Sequence, residues 1–289
     1  MNSNLKPVKK VHQAISAPID DLTTYRAMPT YTLQHLDPFL FLNHHGPQVY
    51  PPHNSGLPFG PHPHRGFETL TYILKGDIVH WDSNGHKSRI TEGGVQWMTA
   101  GSGLIHSEIS SEEFKTQGGE EEVIQLWLNL SARNKMVKPD YHGLKEEEIT
   151  HFHMDEGKVR VNLISGEWDD HKGPVNSLEN LCMTSVEMKS NGRFEMEVPE
   201  GNQVLFYVVK GQVEVNNTKV AMRNLVEFNE NGGTIQVQAS EDSYLILGHG
   251  KPLQEPIVAQ GPFVVNSREE LIRAFEDYQA GRMGTWDEN

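Results

Sequence analysis

Apolar and polar residues alternate along most of the chain in short runs of five to nine residues, broken by Gly, Asn and Asp. The alternation predicts strands at Thr69–Leu74, Asp77–Trp81, His86–Ile90, Val95–Ala100 and Val123–Leu130. Asp82-Ser83-Asn84-Gly85 separates two of them and predicts a hairpin, because Asn-Gly accepts positive φ at little cost. In Val123–Leu130 one face carries Ile124, Leu126, Leu128 and Leu130, and the other Val123, Gln125, Trp127 and Asn129. One greasy face and one mixed face fit a barrel wall that packs on one side and lines a pocket on the other.

The second half repeats the idea. Tyr72-Ile73-Leu74-Lys75-Gly76 and Tyr207-Val208-Val209-Lys210-Gly211 match at a constant offset of 135 residues, and an alternating strand follows each. Further strands are predicted at Val220–Phe228, Thr234–Gln238 and Ser243–Leu247. An acidic, weakly periodic stretch near residues 140–160 marks a boundary, so we expect domains at 1–150 and 151–289. Helix is expected only near the end, where Ser267-Arg268-Glu269-Glu270 has capping-box spacing, Leu271, Ile272 and Phe275 form the buried stripe, and Gly281 stops it.

Composition narrows the class. Hydrophobic residues make up 36%, with 26 Gly and 16 Pro, which suits turn-rich β structure. No run approaches the ~18–20 apolar residues needed to cross a bilayer, and the first fifteen residues lack the apolar core of a secretory signal. The single cysteine, Cys182, excludes an internal disulfide and sits in an apolar run that predicts a buried thiol. The expected setting is the cytoplasm, with no membrane association. A net charge of −14 argues against direct nucleic acid binding, which rests on a basic surface. The acidic runs Gly119–Glu122 and Lys145–Glu148 read as solvated edges.

Fourteen of the fifteen histidines precede residue 180, so metal chemistry, if present, belongs to the first half. Two segments are informative. In Gly56–Glu68, His62 and His64 stand two apart and share one face of an extended chain; in Gly101–Glu108, His106 and Glu108 do the same. Two such pairs on neighbouring strands give a pocket of three nitrogens and one oxygen, and the surrounding glycines permit close backbone approach. His151-Phe152-His153 has no partner pair and reads as a solvated strand. His80 and His86 read as surface residues beside the hairpin, and His44 and His45 as loop or cavity-rim residues. Trp97 and Met98 read as barrel core, and Phe59 as a pocket wall.

These segments resemble a known family. Gly56-x5-His62-x-His64-x3-Glu68 resembles the opening of the first cupin motif, with seven rather than six residues before Gly76, and Gly103-x2-His106 the end of the second, without its usual Pro. More specifically, Asp37–Leu40, His62–Thr69, Gln96–Gly101, Gly103–Glu108, Glu255–Val258, Gly261–Val264 and Asp277–Gln279 resemble pirin signatures across nearly the whole chain. Asn43-His44-His45-Gly46 departs from that pattern. The resemblance implies an all-β bicupin fold, two antiparallel jelly-roll barrels and a short C-terminal helix. It implies iron in the first barrel, held by His62, His64, His106 and Glu108. Cupins in general often ligate through the glutamate of the first motif, whereas the pirin pattern uses the one after the last histidine. Glu68 is therefore assigned behind the ligands, orienting an imidazole. At the repeat offset His62, His64 and Glu68 fall opposite Glu197, Pro199 and Gln203, so the second barrel is expected to hold no metal.

Three imidazoles and a carboxylate suit Fe(II), Mn(II), Ni(II), Cu(II) or Zn(II) and do not choose among them; the resemblance favours Fe(II). One carboxylate leaves a net charge of about +1, which attracts an anionic oxygen. Four protein ligands around an octahedral ion leave two open positions. The resemblance implies quercetin 2,3-dioxygenase activity on a flavonol, with Glu108 taking the substrate proton and Arg65 and Gln125 contacting the substrate. It implies equally a non-enzymatic alternative, a redox-sensitive iron-binding regulator of a protein partner.

Overall fold

The computed structural model describes residues 4–286, and its strands pair antiparallel in two sets of matching order. In the first, a seven-stranded sheet runs Asp140–Leu144, Val95–Thr99, Phe67–Lys75, Gly119–Asn129, Phe39–Tyr50, Thr24–Met28, Ile15–Ser16. The four-stranded sheet of that set runs Phe59–His64, Leu104–Ile109, Asp77–Asp82, Lys87–Thr91. In the second set the seven-stranded sheet runs Val8–Gln13, Asn224–Phe228, Gln203–Lys210, Ser243–Gly250, Cys182–Met188, Val159–Ser165, Thr150–Met154. Its four-stranded sheet runs Arg193–Glu197, Thr234–Ala239, Gln212–Val215, Thr218–Ala221. The fold is the expected all-β bicupin.

The compact units do not follow a single cut near residue 150. One comprises the residues up to Ile15, Arg26–Leu40 and Glu147–Pro252; the other comprises Ser16–Tyr25, Phe41–Glu146 and the residues from Leu253 on. The cause is pairing. Val8–Gln13 lies against Asn224–Phe228 at the edge of the second set, the place that Asp140–Leu144 takes in the first.

The repeated Tyr-x3-Gly ends a strand in the same way twice. Gly76 and Gly211 stand at φ +82° and +81°. A Cβ would strike the Glu121 carboxyl at Gly76, and Ser243 Oγ with the Asp242 carbonyl at Gly211. Only glycine fits. Glu121 corrects the reading of its acidic run as a solvated edge: it lies inside the strand Gly119–Asn129 with no exposure, and burial, with the Asp77 charge second, pushes its carboxyl up to about 9.

The lumen of the second set is apolar. Phe194 and Met196 face inward with Val213, Val215, Ile235 and Val237, while Glu195 and Glu197 are exposed. The inward counterparts of the histidine strand are therefore not at the constant offset. The connection between the corresponding strands runs Val198–Asn202 rather than Arg65–Gly66, which shifts the register.

The C-terminal helix spans Arg268–Gln279 with the predicted capping box at Ser267 and Glu270. It buries Leu271 and Ala274, whereas Ile272 is 51% exposed. A short helix, Glu112–Gln117, capped by Ser111, was not expected from the pattern. His151 and His153 are exposed on a strand, and Cys182 is buried, its thiol pushed up to about 12 by desolvation. No helix among the described residues is long and apolar enough to cross a membrane.

Candidate metal centre

Strand alternation assembles the centre. His106 and Glu108 point the same way from Leu104–Ile109, and His106 pairs across strands with His62. The ladder shifts between His106 and Glu108, a bulge that puts Gly60 and Pro61 opposite Ser107. That bulge supplies the Gly60 carbonyl, to which His62 Nδ1–H donates at 2.7 Å. The ligand atoms of His62, His64 and His106 all lie within 4.8 Å of one another. Ring centroids are 4.4 Å apart for His62–His106, 4.8 Å for His62–His64 and 5.0 Å for His64–His106.

His64 and His106 are buried, and both are held neutral. Burial, with the charge of His62 second, pushes His64 down to about 3; burial and the neighbouring imidazoles hold His106 well below the ordinary range. Neutral imidazoles are the form that ligates metal. Neither ring nitrogen of His106 has a hydrogen-bond partner among the described residues. A buried polar group left so costs about 1–3 kcal/mol. A divalent ion would satisfy one of these nitrogens, so the residues present fit a metal.

The two candidate carboxylates differ. Glu108 lies outside the tight histidine group; Thr71 Oγ1 donates to its Oε1 at 3.3 Å and Gln125 Nε2 to its Oε2 at 2.8 Å. Residues directly opposite in an antiparallel pair share a face. Thr71 pairs with Gln125 and Gln96, so all three look into the lumen with Glu108. Glu68, three residues from Thr71, points to the other face and accepts from Thr99 Oγ1 at 2.7 Å. The alternation of the strand thus removes Glu68 from the place behind an imidazole that the motif suggested.

Other expected site residues sit elsewhere. Arg65 does not reach toward a substrate: its Nε donates to the Ser102 carbonyl at 2.7 Å and its Nη1 pairs with Asp277 at 2.7 Å. Phe59, by contrast, stands opposite Glu108 and so shares its face, where it packs against an apolar cluster 5.2 Å from the His45 ring. His44 and His45 are not loop residues. Both are buried on the strand Phe39–Tyr50, with His44 Nε2 on Glu122 at 2.9 Å and His45 Nδ1 on Thr24 Oγ1 at 2.8 Å.

The sequence reading missed His80 and Asp82. His80, expected at the surface, is 1% exposed, stacks on Tyr141 at 3.9 Å and lies 5.5 Å from His106. Burial alone would raise the Asp82 carboxyl, but hydrogen bonds from His80 and His86 outweigh it and hold it below the usual range. The signal was present in Asp77–Asp82, where Ile78, His80 and Asp82 form one face. Of two further lumen-facing groups, Trp127 lies on the predicted mixed face and Gln96 had not been singled out. The Gln96 amide and Trp127 Nε1 are buried without partners among the described residues, and the Trp127 ring lies 5.4 Å from His64.

The fold and this cluster define a bicupin whose first barrel carries a histidine centre suited to a metal. Residues 21–128 match the family described as Pirin, and residues 183–284 match the Pirin C-terminal cupin domain. The chain belongs to the pirin family. It is 35% identical over 281 residues to a pirin-like protein of Solanum lycopersicum, covering 96% of this chain and 92% of that one. It is 36% identical over 265 residues to a Pseudomonas aeruginosa protein provisionally named a quercetin 2,3-dioxygenase, covering 92% and 91%. Among solved structures, a quercetin 2,3-dioxygenase from Acinetobacter baumannii superposes with a TM-score of 0.91 at 33% identity, covering 97% of this chain and 99% of that one.

Proposed function

We propose that the protein is a metal-dependent oxygenase that opens the central ring of a flavonol, a quercetin 2,3-dioxygenase-type reaction with Fe(II) as the preferred ion. The observation that carries this reading is the close grouping of His62, His64 and His106, in which His64 and His106 are buried and neutral and His106 has no hydrogen-bond partner among the described residues, in a chain similar over 97% of its length to a quercetin 2,3-dioxygenase. His62, His64 and His106 would hold the ion, with Glu108 as fourth ligand. When bound, a divalent ion there supplies Lewis acidity toward the flavonol 3-hydroxyl and a path for electrons to O2.

The chain's own groups do the rest. Glu108, which accepts from Thr71 and Gln125, would take the 3-hydroxyl proton provided that its bond to the ion is labile. The Trp127 ring offers an apolar wall to an aromatic substrate, and the Gln96 amide a free donor toward its 4-keto oxygen. The overall change consumes one O2 per flavonol and releases carbon monoxide. Measuring O2 uptake and carbon monoxide with quercetin and with its 3-deoxy analogue tests the reading. We expect turnover of quercetin alone, because the analogue lacks the anionic oxygen. Bleaching of neither compound, or of both equally, gives way to the iron-binding regulator of a protein partner.

A further inference from the structure

The three imidazoles of the cluster are aimed by three different means. His62 is set by a carbonyl of its own strand, Gly60, and His106 by packing alone. His64 depends on a distant segment: its Nδ1–H donates to the Pro262 carbonyl at 3.2 Å. Pro262 leads into the three-residue strand Phe263–Val265, which runs parallel beside Arg65. Val264 N–H donates to the Arg65 carbonyl at 3.0 Å, and Arg65 N–H to Pro262 at 3.4 Å. The approach is close enough that a Cβ on Gly66 would strike the Val264 carbonyl.

So short a strand is weakly held by its ladder. The following helix closes the arrangement, since Asp277 pairs with Arg65 Nη1 at 2.7 Å. Arg65 is 5% exposed, yet a cavity of about 170 Å³ lies beside it, lined also by Lys135, Asn266 and Arg273. Packing therefore leaves one side of the guanidinium unsupported, and the ion pair fixes it.

We propose that the Arg65–Asp277 pair is a latch that keeps the Pro262 carbonyl on His64. It thereby fixes the tautomer of that ligand, with Nδ1 protonated and Nε2 presented to the metal. This rests on the metal-centre reading above. Asp277 is a positioning residue, and the Asp277–Gln279 signature gains a role at a site it never touches. Groups that orient a ligand imidazole typically change metal affinity ~10–100-fold.

The test is a Co(II) titration of the metal-free full chain, followed by absorption. Asp277→Asn removes the charge from a partly exposed helix position and should weaken binding ~10-fold or more. Asp277→Glu keeps the charge and should recover most of the affinity. Arg282→Gln should change nothing, because Arg282 bonds the other Asp277 oxygen from the surface. NMR of the metal-free protein adds a readout: His64 is an Nδ1–H tautomer in the native chain and a tautomer mixture in Asp277→Asn. A lower melting temperature with unchanged Co(II) affinity and tautomer would make Asp277 merely structural and overturn the latch; so would a loss in Asp277→Glu as large as in Asp277→Asn. A native chain that binds no Co(II) overturns the metal centre itself, and the latch with it.

Discussion

Two four-stranded sheets of the same order fill their lumens in opposite ways. In one, His62 stands opposite His106; in the other, the inward cross-strand pair is Met196 opposite Ile235. The second lumen is complete in itself, since each fully buried aliphatic or aromatic side chain contributes about 1.5–3 kcal/mol. The first is not. It buries imidazoles, an amide and carboxylates, and leaves both His106 nitrogens without a partner among the described residues. The difference teaches that one backbone can serve as a core or as a site, depending on whether its inward side chains satisfy one another.

The largest effect should come from exchanging these roles by substitution. His106→Ala should abolish stoichiometric metal binding while the metal-free protein keeps its fold. Met196→Ala should cost ~2–5 kcal/mol of stability and leave one ion per chain. Elemental analysis paired with denaturant unfolding reads both. Full metal occupancy in His106→Ala would erase the distinction between the halves.

A smaller effect sharpens the comparison within the first half. Glu108→Gln should weaken Co(II) binding by more than ~10-fold, and Glu68→Gln by less than that. The opposite ranking in a titration would mean that the face of the strand does not decide which carboxylate matters.

The smallest effect concerns the matched turns, where Gly76 abuts Glu121 and Gly211 abuts Ser243. Glu121 stays protonated in the folded chain until about pH 9 but ionises above its ordinary value of 4.5 once unfolded. Its contribution is therefore complete below pH 4.5 and is lost as pH rises toward 9. Glu121→Gln should melt progressively higher than the native chain across that window, by several degrees at pH 8 at ~2–4 °C per kcal/mol. Ser243→Ala should show no such pH dependence. Parallel melting curves for Glu121→Gln and the native chain from pH 5 to 9 would sink this prediction.

Much of this was legible in the sequence. The two donor pairs, the mixed face of Val123–Leu130, the Asn-Gly hairpin and the capping box at Ser267 are local patterns, and each maps onto one element. Other features were hidden because strands such as Phe67–Lys75, Val95–Thr99 and Leu104–Ile109 are buried on both faces, so their alternation no longer separates inside from outside. Glu68 and Thr71 are both buried; alternation puts them on opposite faces, and only the cross-strand register tells which face looks into the lumen. His80 and Asp82 look like solvated turn neighbours until their face is seen to be the lumen. The bulge at Gly60 and the contact of Pro262 with His64 arise from pairing, and residue spacing carries no record of them.

The strand Val8–Gln13 has a consequence for the making of the protein. Its partner, Asn224–Phe228, lies more than 200 residues downstream. At ~5–20 residues per second a ribosome needs ~10–40 s to deliver it. During that interval a β edge carrying Val8 and Val11 waits without its ladder, which is the exposure that invites wrong pairing. Lys9 and Lys10, side by side in that strand, put two positive charges on the waiting edge. The segment that finishes the second barrel thus emerges long before the strand it pairs with, and it travels with its own gatekeepers.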